Sequence, residues 1–312
     1  MSDAGRDALR TTVAGVEFRN PIVLAAGTAG YGRELAEVVD LERLGGIVTK
    51  AVSLQPRHGA PAPRVAEFAG GMINAIGLAN PGVAEVRAQH LPWLAERLPG
   101  TRVIVNVVGN AVEDYAAVIE ALEDGAGMDA YELNVSCPNV KAGGMEFGAD
   151  PTALTDVVSR ARAVTRRPLF VKLSPALADV VGAARTAVAA GADGLTLVNT
   201  LPGLVIDVER RRPALGFGSG GVSGAGLLPV GVLATWKVRR AVDVPLIGIG
   251  GVSSATDALQ YVLAGASLVG IGTAAMRDPR LPARVVRDLE RWCEAHAVRS
   301  LSDLVGSLEW PS

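Results

Sequence analysis

The feature that most constrains the fold is a punctuation repeated along the chain. A helical stretch ends at glycine, a few residues follow, and a short apolar run begins. It stands at Leu44-Gly45-Gly46 before IVTKAV and at Gly125-Ala126-Gly127 before AYELNVS. It returns at Gly191-Ala192-Asp193-Gly194 before LTLVNT and at Gly265-Ala266 before SLVGIGT. Glycine suits the left-handed position that follows a helix. Apolar runs of this length suit strands buried on both faces. Four more such runs are PIVLAA (21–26), RVIVNVVG (102–109), PLFVKLS (168–174) and PLIGIGG (245–251). Helical patterns fill most of the intervals, as at 180–190 and at Ala255–Ala264, where Ser253 or Ser254 offers an N-cap.

Eight buried strands alternating with helices predict parallel βαβ units. In a chain of 312 residues they predict an α/β protein, a (β/α)8 TIM barrel forming one domain over residues 1–312. A doubly wound open sheet is the alternative. Two connections, about 53–92 and 201–236, are too long for ordinary βα loops. Both would lie at the C-terminal mouth, where barrel active sites sit. A short hairpin near residues 12–20 is expected to plug the opposite end.

Composition narrows the function classes. Hydrophobic residues make up 49% and charged residues 20%, enough for a large core and too apolar for a disordered chain. A net charge of −2 and 4% aromatics give no reason to expect a nucleic-acid surface. Two cysteines, Cys137 and Cys293, make neither a disulfide framework nor a metal cluster, and a reducing, cytoplasmic compartment is expected. His58, His90 and His296 lack ligand spacing, so no metal is expected on this chain. MSDAGRDALR has no apolar signal core, and the two charge-poor stretches, 213–236 and 258–276, are broken by glycine. No GxGxxG joins a strand to a helix, so a Rossmann site is not expected.

Polar residues collect where the strands end. The second strand runs into Thr49-Lys50, and the third carries Asn106. The fourth ends Asn134-Val135-Ser136-Cys137, and the fifth carries Lys172 and Ser174. The sixth ends Asn199-Thr200, the seventh at Gly250-Gly251, and the eighth at Gly272-Thr273. Adjacent glycine-rich ends of strands seven and eight suit a phosphate site, although each alone could be a tight turn. A lysine in an apolar strand is costly without a negative partner, so Lys50 and Lys172 suit electron-rich ligand atoms or a reduced cofactor anion. Asn106, Asn134 and Asn199 can each donate and accept, which suits an amide-rich planar ring such as a flavin or pyrimidine. Cys137, just past the fourth strand, is a candidate nucleophile or acid/base. Cys293, in RWCEAH, reads as a small core residue.

At these residues the sequence resembles the class 1 dihydroorotate dehydrogenases, most closely the class 1B catalytic subunit. The likeness covers nearly the whole chain. It is carried by NPIVLAAGTAGYG (20–32), GMINAIGLANPG (71–82), ELNVSCPNVKAGG (132–144), VKLSP (171–175), GGVSGAG (220–226) and AGASLVGIGT (264–273), among others. NAIGL and SCPNVK are the most specific blocks. The resemblance implies FMN at the barrel mouth and oxidation of dihydroorotate to orotate in pyrimidine synthesis. By it, Cys137 takes the C5 proton while the C6 hydride passes to flavin N5. It also implies an orotate site at Lys50, Asn74, Ala75, Ile76, Gly77, Leu78, Asn134, Asn199 and Thr200. FMN contacts would come from Ala26, Gly27, Lys50, Ala51, Asn106, Asn134, Lys172, Val198, Gly224, Gly250, Gly251, Gly272 and Thr273. Lys172 would stand near the N1–O2 edge of the flavin.

Two departures from the pattern are Ala26, where the family often has serine, and Ser223-Gly224-Ala225-Gly226 in place of an SGPA-like block. Class 1B implies a homodimer joined to an electron-transfer subunit as a heterotetramer. FAD and a [2Fe–2S] cluster on that partner would relay electrons to NAD. Lys141-Ala142-Gly143-Gly144 after CPNV favours this class. A class 1A enzyme reducing fumarate and a dihydropyrimidine dehydrogenase-like flavoprotein are the alternatives. The class 2 enzymes have serine for the cysteine and an N-terminal membrane-binding extension, which is not expected here.

Overall fold

The computed structural model describes residues 7–136, 138–139 and 145–311. Its centre is a closed parallel barrel of eight strands: β1 (Ile22–Leu24), β2 (Gly46–Val48), β3 (Arg102–Val107), β4 (Ala130–Asn134), β5 (Leu169–Leu173), β6 (Gly194–Leu197), β7 (Leu246–Ile249) and β8 (Leu268–Ile271). Neighbours in sequence are neighbours in the barrel, and β8 closes on β1 with Val269 opposite Ile22. Six of the eight sequence runs contain their strand, and β2 and β6 begin one residue before theirs, at Gly46 and Gly194, so the barrel replaces the open-sheet alternative.

Strand geometry sorts the residues by a period of two. Val23, Ile104, Ala130, Phe170, Ile247 and Leu268 point inward and meet in the barrel interior. Leu133, Val171, Leu195 and Val269 point outward into the larger core under the helices. The surrounding helices include Val112–Leu122, Pro151–Ala163, Val180–Ala189, Leu228–Arg239, Ala255–Ala264 and Leu281–Ala295. Three of them start at side chains that accept orphan N–H groups. Asp150 Oδ1 accepts from Thr152 N at 2.9 Å, Asp179 Oδ1 from Gly182 N at 2.8 Å, and Ser254 Oγ from Asp257 N at 3.1 Å.

The helix-ending glycines divide into two kinds. Gly191 and Gly265 take the expected left-handed conformation, with φ of 111° and 121°. Gly45 does not have positive φ, which corrects the sequence expectation there. It lies where a Cβ would stand 1.9 Å from the Asn20 carbonyl oxygen, so close approach of two backbones selects glycine.

The N-terminal hairpin pairs Thr11–Val13 with Val16–Phe18 across an Ala14-Gly15 turn with φ of 48° and 80°. Positive φ at both turn residues matches the twist of a two-residue hairpin. Val13 and Phe18 are each 1% exposed and join the inward barrel cluster, closing its floor. Full burial of such a phenylalanine contributes about 1.5–3 kcal/mol. Asn20, just past the hairpin, is tied to the segments that enter β1 and β2. Asn20 Oδ1 accepts from Ile22 N and Gly45 N, at 3.1 and 3.0 Å.

The two long connections pair with one another. They form a four-stranded antiparallel sheet in the order Leu201–Gly203, Gly220–Ser223, Gly71–Asn74, Val65–Phe68. Asn74 lies opposite Gly221, and its Nδ2 donates to the Gly221 carbonyl at 3.2 Å. Among the described residues no helix is long and apolar enough to cross a membrane.

Candidate functional site

Between the C-terminal ends of the barrel strands and this added sheet lies a cavity of about 1040 Å³. Every site residue inferred above from the resemblance, Cys137 excepted, lines it. The barrel contributes Ala26, Gly27, Lys50, Ala51, Asn106, Asn134, Lys172, Val198, Asn199 and Thr200, with Gly250, Gly251, Gly272 and Thr273 at the turns after β7 and β8. The long connections contribute Asn74, Ala75, Ile76, Gly77, Leu78 and Gly224. Cys137 lies outside the described residues. Its neighbour Ser136 lines the cavity, and Pro138 pairs with Glu146 across a short antiparallel ladder.

Inward alternation explains the order of polar groups. On β4 it puts Ala130, Glu132 and Asn134 on one face, from floor to mouth. On β5 it stacks Lys172 above Phe170. Lys172 is 6% exposed, and its Nζ stands 3.9 Å from Glu132 Oε1, an ion pair beyond hydrogen-bond length. Asn106 Nδ2 donates to the same carboxylate oxygen at 2.7 Å. Higher up, Asn199 Nδ2 donates to Asn134 Oδ1 at 3.1 Å, and Ser136 N to the same oxygen at 3.3 Å. Asn199 Oδ1 accepts from Thr200 N at 2.8 Å. Both amide oxygens are thus engaged within the protein. Ser136 Oγ is buried and has no hydrogen-bond partner among the described residues.

The opposite end of the cavity is made of backbone. Gly250 and Gly251 precede the capped helix Ala255–Ala264, and Gly272 precedes Thr273–Arg277. Thr273 Oγ1 donates to Ser223 Oγ at 2.7 Å, tying the turn after β8 to the added sheet. A Cβ on Gly272 would come no nearer than 3.7 Å to a neighbouring atom. Gly272 thus lines the cavity, where that Cβ would make ordinary van der Waals contact with Ala25 and Thr28. Backbone N–H groups at such a turn favour an anion.

Three polar groups escaped the sequence reading. Glu132 is wholly buried, and the signal for it was available, since β4 alternation places it on the face of Asn134. Glu146 lines the cavity. Burial pushes its carboxyl above the ordinary range, and a hydrogen bond with Ser174 pulls partly back. Its place follows from a ladder within the loop after β4, which carries no periodic signal. Ser223 was noted only within its loop block, and its bond to Thr273 depends on the fold of both long connections. Cys293 is 1% exposed in helix Leu281–Ala295, with its thiol pushed up by burial, as suits a packing residue.

The architecture and cavity define a (β/α)8-barrel protein with a ligand site at its C-terminal mouth, amide- and lysine-lined at one end and suited to an anion at the other. The sequence model of one family, dihydroorotate dehydrogenase, matches residues 8–292. The chain belongs to that family. It is 49% identical over 301 residues to the dihydroorotate dehydrogenase B (NAD(+)) catalytic subunit of Pelobacter propionicus, covering 96% of this chain and 98% of that one. The protein of the same name from Geobacter sp. strain M21 is 46% identical over 304 residues, covering 97% and 99%. That from Alkaliphilus metalliredigens is 45% identical over 300 residues, covering 96% and 98%.

Proposed function

We propose that this chain is the FMN-bearing catalytic subunit of a class 1B dihydroorotate dehydrogenase, oxidising dihydroorotate to orotate in pyrimidine synthesis. The observation that carries this reading is the convergence of Lys50, Lys172 and four asparagines with two glycine turns on one cavity.

The cavity suits FMN by three features. It has Gly272 in its wall, a Ser136 hydroxyl unpartnered among the described residues, and a buried Lys172 facing inward. Ala26, Gly27, Lys50, Ala51, Asn106, Asn134, Lys172, Val198, Gly224, Gly250, Gly251, Gly272 and Thr273 would hold the cofactor. When bound, FMN supplies the acceptor for the hydride leaving C6. Lys50, Asn74, the 75–78 backbone, Asn134, Asn199 and Thr200 bind and orient the substrate, with the lysine offsetting its carboxylate. Cys137 takes the C5 proton. A thiol with an ordinary pKa of about 8.5 serves as base near neutrality where its surroundings favour thiolate. The added sheet covers the mouth and limits water.

The relatives' names, with "NAD(+)" and "catalytic subunit", support class 1B. A [2Fe–2S] cluster takes four protein ligands, commonly cysteines, and this chain has two cysteines in all. On this reading the cluster belongs to a partner subunit; the class 1B resemblance adds FAD on that partner and its union with a homodimer of this chain as a cytoplasmic heterotetramer. Residues 1–312 form the single FMN domain.

The test is an absorption spectrum of the purified chain with and without dihydroorotate. A flavin band that bleaches on addition is expected; no bleaching overturns the substrate reading. Assays with NAD and with fumarate separate the classes. Robust fumarate reduction by the chain alone overturns class 1B.

A further inference from the structure

We infer that Glu132 is a buried counter-charge that lowers the reduction potential of FMN in the cavity by offsetting Lys172. The inference rests on the FMN reading above.

Glu132 points into the barrel one inward step below Asn134, is 0% exposed and is not part of the cavity wall. It backs two residues that are. Its Oε1 accepts from Asn106 Nδ2 at 2.7 Å and faces Lys172 Nζ at 3.9 Å. Its Oε2 is buried with no hydrogen-bond partner among the described residues. Thr196 lies opposite Lys172 in the β5–β6 register, and its buried hydroxyl is likewise unpartnered. A fold seeking only stability does not need this pair, since apolar residues commonly replace a buried ion pair without loss.

What the arrangement supplies is electrostatic. Two-electron reduction places negative charge on the bound cofactor. Lys172, scarcely screened by water, favours that charge. Glu132 carries the opposite sign beside the same ammonium and subtracts from its field. The carboxylate thus weakens the preference for reduced over oxidised FMN, which favours onward release of electrons. Glu132 acts at a distance, by its charge, from behind Lys172 and Asn106.

The test is the two-electron midpoint potential of FMN bound to the purified chain, measured by dye equilibration, with circular dichroism and FMN affinity as checks on folding. Glu132→Gln keeps the shape and removes the charge. It should favour reduced FMN on the order of tenfold, about 30 mV upward. Glu132→Asp keeps the charge but draws it back by a methylene, and should shift the ratio about threefold in the same direction. It serves as the second arm if Glu132→Gln does not fold. In a Lys172→Met background the potential itself should fall, since the cation that favours reduced FMN is gone, and Glu132→Gln should still raise it, because the two charges act on the cofactor additively.

An unchanged or lowered potential in folded, FMN-bound Glu132→Gln or Glu132→Asp overturns the inference. These potentials need FMN but no dihydroorotate. A chain that shows the shifts yet does not oxidise dihydroorotate defeats the substrate reading alone. One that oxidises dihydroorotate without the shifts defeats only the role of Glu132.

Discussion

Asn199 Nδ2 donates to Asn134 Oδ1 at 3.1 Å, reaching over β5 to tie the mouth end of β6 to that of β4. This bond ties the two amides to each other in the cavity wall. Asn199→Ala removes a ligand donor and frees Asn134 to rotate. A lost hydrogen bond to a charged or polar partner is worth about 1–3 kcal/mol. The expected result is a kcat/KM for dihydroorotate lower by on the order of tenfold to a hundredfold, with FMN still bound. Steady-state kinetics check it, and an unchanged kcat/KM would remove the pair from substrate binding.

Cys137 carries the proton chemistry of the proposed reaction. Cys137→Ser replaces a thiol by a hydroxyl that is far harder to ionise near neutrality. General-base catalysis contributes about 10²–10⁴-fold. Turnover should fall by at least on the order of a hundredfold at pH 7, while FMN affinity stays unchanged. Fluorescence titration of FMN beside the turnover assay separates the two. Turnover equal to that of the unsubstituted chain would exclude the cysteine as base.

Gly71 seats the two long connections against each other. A Cβ there would stand 2.0 Å from the Ser223 carbonyl oxygen and 3.1 Å from Gly224 Cα. Gly71→Ala must therefore push the Gly220–Ser223 strand away. Overpacking of this kind costs about 1–3 kcal/mol. The strain falls on the mouth sheet, outside the barrel. Faster proteolytic cutting within 201–223 and a raised KM are expected, with a much smaller change in Tm. A Tm loss without any gain in local cutting would place the strain in the barrel instead.

Glu146 gives the cavity a pH dependence with a definite sign. Burial, the larger cause, raises its carboxyl above the ordinary carboxylate range, against a lesser opposing effect of Ser174. The folded state therefore binds this proton more readily than the unfolded state. Between the unfolded and folded pKa values, stability falls as pH rises, and the cost is complete above the folded value. Glu146→Gln removes that cost. Its Tm should exceed that of the unsubstituted chain at pH 8, with the gap closing as pH falls toward 4. A gap that stays constant over that range would show that the carboxyl does not titrate on unfolding.

The eight barrel strands were legible because burial on both faces and glycine at helix ends are local properties, written in runs of four to eight residues. The strand-end residues followed from them. Once β4 and β5 are placed, chain order alone assigns Asn134 and Lys172 to the mouth. Local pattern did not extend to Gly45, where glycine answers to the Asn20 carbonyl, 25 residues earlier and on another element. Nor did it reveal that residues 65–74 and 201–223 share one sheet, since hydrogen bonds between distant backbones leave no periodic trace in either segment.

The sequence by itself determined the barrel, the mouth and the family, because strand burial, chain order and the NAIGL and SCPNVK blocks all lie along the chain. Only the tertiary structure decided that one buried carboxylate, Glu132, backs both Asn106 and Lys172. A charge becomes a counter-charge only when another charge stands within a few ångströms in a place water does not reach. That distance is set by the closing of the barrel across three strands.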